Sequence, residues 1–124
     1  MLAQTLDVAE VERSLALLGK WRSRSKLTSR DRAKIRRIMD SNQLVCVPIW
    51  GIAALFGVSV DMARVYARAG VVTRYAIHKN VDLFTTSDAR QSREEFKRLR
   101  NGARLTVAQA SRMISARKAA EDSL

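Results

Sequence analysis

The stretch IWGIAALFGVSVDMARVYARAGVV, residues 49–72, constrains this chain more than any other. Two short apolar-periodic runs flank Gly57-Val58-Ser59, and the second stops at Gly70. That pattern predicts two helices meeting at a sharp turn. Gly57 suits a left-handed turn position, Val58 plugs the core behind it, and Ser59 caps the second helix. Ala53 and Ala54 supply small residues where the second helix crosses the first. Ile52, Phe56, Val58, Ala63 and Tyr66 then form one apolar face, which leaves Val60, Asp61, Arg64, Val65 and Arg68 pointing outward together.

Arg64 and Arg68 are one helical turn apart, so both can lie along one groove of a duplex. An arginine can bind guanine bidentately or grip phosphate. Asp61, in the first turn, suits the helix dipole and at DNA would disfavour some bases. A solvated arginine face is the alternative reading of the same residues.

The flanks predict further elements. Asp7 and Glu10 form a capping box for a helix over Asp7–Leu18, with Gly19 at its end. Thr28 or Ser29 caps a second helix whose inner face carries Ala33 or the Lys34 stem, Ile35, Ile38 and Met39. NQLVCVP reads as a short strand, and Pro48 suits the first turn of the next helix. From Val71 the period changes to alternation, and HKN turns the chain into VDLFT, a β-hairpin. A helix opens at Ser87 and stops at Gly102, with Ala89, Phe96 and Leu99 inward. Thr106 and Gln109 make a capping box for a last one.

The chain has 124 residues, 47% of them hydrophobic, enough for one compact domain. Charge is its unusual property: 23 Lys+Arg against 12 Asp+Glu give +11. Such an excess draws polyanions, nucleic acid first and an acidic membrane surface second. No apolar run approaches the roughly 20 residues a membrane span needs, and Asp7, Glu10 and Glu12 stand where an export signal would be basic. A cytoplasmic, nucleoid-associated protein is expected. The densest basic segment, Lys20–Arg37, contains Arg22, Arg24, Lys26 and Arg30 and a single acid, Asp31, so it is expected to track phosphates. The second cluster, Arg90–Lys118, is interleaved with acids and reads as solvated helix faces.

GVSVDMARVYARAGVV resembles the MerR-type winged helix-turn-helix, in which a Gly-Val-Ser turn leads into an Arg-x-Tyr-x-x-x-Gly-Leu/Val segment, here Arg64 to Val71. Phage excisionases and terminase small subunits share the scaffold. The resemblance covers roughly residues 47–88. It implies that Val60–Ala69 is a recognition helix, Ser59, Val60, Asp61, Arg64, Val65 and Arg68 being its DNA-side residues. It also implies that the hairpin is a wing whose Arg74, His78 and Lys79 touch the DNA backbone. Unlike such regulators, this chain carries about 45 residues before the motif and only a short helix after Gly102, too little for an effector pocket.

The expected fold is therefore mainly α: a winged helix-turn-helix core (47–86) between N-terminal helices with the basic segment (1–46) and C-terminal helices for packing or oligomerisation (87–124). Cys46 reads as a small buried hydrophobe, Trp21 and Trp50 as packing residues, and His78 as a surface turn residue or weak phosphate contact. No cofactor, metal or small-molecule effector is expected, and no catalytic constellation is present in the sequence. The expected function is sequence-specific binding of double-stranded DNA by a homodimer or cooperative oligomer, with transcriptional regulation as the output, most simply repression. An architectural protein that bends or coats DNA in recombination, partition or packaging is the alternative. An RNA binder and a protein-interaction adaptor are more distant ones.

Overall fold

A computed structural model of the chain describes residues 7–24 and 26–123, so the outer ends of the first and third segments lie outside it. Six helices and a three-stranded antiparallel sheet make a mainly helical molecule among these residues. Helix α1 (Val8–Leu18) is capped by Asp7, whose side chain accepts the Ala9 and Glu10 N–H groups. The reciprocal half of the expected capping box is absent: the Asp7 N–H donates to the Tyr75 hydroxyl instead (3.4 Å). Gly19 does not stop the chain by a left-handed turn, either. It stays right-handed and opens a 3-10 turn, Gly19–Trp21.

Helix α2 (Ser29–Ser41) has Thr28 as its cap and Asp31 as the reciprocal partner. Its buried residues are Asp31, Ile35 and Met39, while Lys34 is exposed. Strand β1 (Cys46–Pro48) leads into α3 (Ile49–Phe56). Pro48 caps that helix from an extended conformation, so it precedes the first turn rather than entering it. Gly57 (φ +70°) turns the chain, Ser59 Oγ accepts the Met62 N–H (3.1 Å), and α4 (Val60–Arg68) leaves at 101° to α3. The turn chemistry expected from the sequence is present.

Strands β2 (Arg74–His78) and β3 (Val81–Thr85) form a hairpin. Its two-residue loop is Lys79-Asn80, with φ +49° and +64°. Two left-handed residues are what a type I′ turn demands, and they match the strand twist. Two sequence expectations need correction here. His78 is the last residue of β2, not part of the turn. The expected alternation is not seen: Val71 and Val72 are both buried, the strand begins only at Arg74, and a bulge between Arg74 and Ala76 leaves Ile77 exposed. The hairpin is also part of a larger sheet: β3 is central, in the order β1-β3-β2, with Cys46 opposite Thr85.

Helix α5 (Thr86–Asn101) starts one residue earlier than expected, directly off β3 and with no side-chain cap. Thr106 and Gln109 cap α6 (Val107–Asp122) reciprocally, as expected. One buried apolar cluster runs from Val11 and Leu18 through Ile52, Ala53, Tyr66 and Leu83 to Leu99 and Ile114, so all three sequence segments contribute to a shared core. Among the described residues, no single helix is long and apolar enough to cross a membrane.

Candidate nucleic-acid interface

The position of α4 is set by aromatic packing underneath it. Tyr66 stacks at 5.4 Å from Phe56 of α3 and 5.1 Å from Phe96 of α5, while Ala63 is fully buried at the crossing with Ala53 and Ala54. Gly51 lets α3 lie close on β1, since a Cβ there would stand 2.8 Å from that of Val47. What remains exposed on α4 is Asp61, Met62, Arg64, Val65 and Arg68. Arg64 keeps more than half of its side chain in solvent and pairs with Asp61 at 3.3 Å.

Val60 is the exception to the outward set. It is 8% exposed, a core residue on the same side of α4 as buried Ala63 and Tyr66. Trp21 at the end of the 3-10 turn and Arg22, Ser23 and Arg24 after it line a hollow together with Trp50, Val60, Asp61 and Arg64. This hollow shares Arg22, Trp50 and Arg64 with a longer groove that continues past Ala67 and Arg68 to Asn80, Asp82 and Phe84 of the hairpin. Arg22, Arg24, Arg64 and Arg68 therefore converge on one concave surface from parts of the sequence some 40 residues apart.

The turn that delivers Arg22 and Arg24 is held by Asp31. Its carboxylate accepts the Thr28 N–H (3.1 Å), the Trp21 indole N–H (3.2 Å) and the Arg24 guanidinium (3.1 Å). The Thr28 backbone N–H, with smaller help from Trp21, the Thr28 hydroxyl and Arg24, holds this carboxyl down at about 2. Trp21 is buried by the same arrangement, and Trp50 is buried with its indole N–H on the Leu18 carbonyl (2.9 Å). Both tryptophans pack, as the sequence led one to expect. Arg22 remains exposed, with one long bond to the Lys79 carbonyl (3.5 Å) that ties the turn to the hairpin loop. Lys26 and Arg30 are exposed but do not line the groove.

The polar side chains of the hairpin have internal partners. His78 Nε2 lies 2.6 Å from Glu12 of α1, and Lys79 Nζ lies 3.5 Å from the same carboxylate. The His78 hydrogen bond and then the Lys79 charge pull the Glu12 carboxyl below its ordinary value. Arg74 pairs loosely with Asp82 (3.8 Å) and faces a different hollow, between the hairpin base and α6. At that base Lys118 donates to the Val71 carbonyl (2.6 Å) and to Asp88 (2.8 Å), and Asp88 accepts the Thr73 N–H (2.8 Å). These bonds tie the chain entering the hairpin to α5 and α6.

Sequence reasoning did not single out Asn80 and Asp82, which line the groove, or Glu12, which pairs with His78 and Lys79. The Asn80 signal was the HKN turn itself; the other two depend on contacts across the fold. Cys46 is fully buried, and burial pushes its thiol up to about 11. No group of three or more His, Cys, Asp or Glu able to hold a metal ion occurs among the described residues. Comparisons with family models, with curated proteins and with solved structures return no match for this chain.

Proposed function

We propose that this chain is a sequence-specific double-stranded DNA-binding protein with a winged helix-turn-helix core, and that it regulates transcription as a repressor. The observation that carries the reading is the groove in which the exposed face of α4 meets Arg22 and the hairpin loop. An α-helix is about 10–12 Å across and the B-DNA major groove about 12 Å wide. In this reading α4 enters that groove, Arg64 and Arg68 read base edges, and Val65 offers an apolar contact to thymine methyls. Arg22, Arg24 and the loop around Asn80, which the Arg22–Lys79 bond brings together, grip the backbone beside α4. Asp61 excludes bases that present only acceptors. Nine helical residues read few base pairs, so two copies on adjacent half-sites supply the rest.

Selection of bound fragments from a random duplex library at physiological salt tests this. The expected outcome is a motif, repeated at about one helical turn. Arg64→Ala should then cost on the order of 1–3 kcal/mol on that motif and relax preference at one position. No recovered motif, with binding that vanishes as salt rises, would turn the reading towards an architectural or RNA-binding protein.

A further inference from the structure

Helix α2 carries a row of cations that the groove does not use. Arg30, Lys34 and Arg37 follow at i, i+4 and i+7, so they share one face, and all three are exposed. Lys26 stands exposed just before the helix. None of the four has an acidic partner among the described residues. The two acids of α2 are engaged elsewhere: Asp31 turns inward to Trp21, Arg24 and Thr28, and Asp40 pairs with Arg90 at 2.6 Å.

Folding gains nothing from this arrangement. Like charges four residues apart repel, and Arg30 in the first turn opposes the helix dipole. A helix face needing only solubility mixes the two signs, as α5 and α6 do where Arg93 meets Glu94 and Arg117 meets Glu95 and Glu121. The row runs about 10 Å along the axis, at 1.5 Å per residue, which spans about three base-pair steps of about 3.4 Å along a duplex axis. Arg24, which lines the hollow, is bonded to Asp31 in the first turn of the same helix, so the row starts close to the hollow's edge.

We infer that this face of α2 is a second surface for the DNA phosphate backbone, engaging duplex that flanks the segment under α4. The inference rests on the DNA-binding reading and extends it: the protein holds more DNA than it reads. Flanking DNA then contributes affinity without sequence preference.

The test compares the full chain with a Lys34→Ala/Arg37→Ala double variant on two duplexes sharing the same central site, of about one and about three helical turns. Titrations run at several salt concentrations. On the long duplex the variant should bind on the order of tenfold more weakly, with the log K versus log[salt] slope smaller by about 2. On the short duplex the two proteins should bind alike, and thermal unfolding should be unchanged. Equal losses on both duplexes would place the row inside the principal contact and overturn the inference; so would no loss on either. A larger loss on structured RNA of matched length would overturn the choice of DNA. Failure of the unsubstituted chain to bind either duplex is a different result, and would remove the DNA-binding reading itself.

Discussion

Asp31 does at one position what a longer loop would otherwise need several residues to do. It caps α2, holds the Trp21 indole and orients Arg24. An aspartate titrates near 3.8 without such partners, and Asp31 does so at about 2. The stability its ionised form contributes is complete above the unfolded value and is lost as pH falls from about 4 towards 2. Thermal midpoints of the wild type should therefore drop across that window. Asp31→Asn should start lower at neutral pH and show a flatter dependence there; parallel curves for the two proteins would refute the assignment. Cys46 shows the opposite residue-scale logic, since burial, with help from the Glu10 and Asp7 charges, keeps it a neutral thiol and an inert hydrophobe.

At the scale of elements, the α3–α4 pair depends on a left-handed residue at position 57. A Cβ at Gly57 would meet nothing within 4 Å, so the penalty for Gly57→Ala is purely conformational. It should be about 1–2 kcal/mol in a urea titration, and Gly57→Asn should recover part of it. Equal stability of all three proteins would show that the turn has another conformation. This turn, the Ser59 cap and the Thr106–Gln109 box were legible because their chemistry is contained within four consecutive residues. Val60 was misread on phase: it stands three residues before Ala63 and six before Tyr66, on the buried side of α4. The β1–β3 pairing and the Glu12 contact to His78 and Lys79 were hidden for another reason, each joining residues at least 35 positions apart. The convergence of Arg22 with Arg64 is of the same kind: both residues were singled out in the sequence, but not their proximity.

For the whole molecule, the shared core predicts that the N-terminal helices are not appendages. Leu18 is fully buried, and its carbonyl accepts the Trp50 indole N–H across the core. Leu18→Ala should destabilise the chain by about 2–5 kcal/mol. Unfolding should remain a single transition, with far-ultraviolet circular dichroism and tryptophan emission coincident. An early circular dichroism step that leaves the α3–α4 region folded would show that α1 is a separate unit. The charge distribution belongs to this scale as well. The net +11 is not spread evenly: Arg93 and Arg117 on α5 and α6 meet acids, as Arg24 and Arg64 do at the groove, while Arg30, Lys34 and Arg37 on the α2 face meet none.

The chain has only two tryptophans, and both flank the groove: Trp50 lines both the groove and the hollow that extends it, and Trp21 lines the hollow. The molecule thus carries its own optical gauge at the place where a ligand would sit. A partner seated between α4 and the hairpin would change the polarity around Trp50 and shift its emission, with no label attached. One bound only to the outer face of α5 or α6 would leave the spectrum as it was. Occupancy of the groove can be followed by light alone.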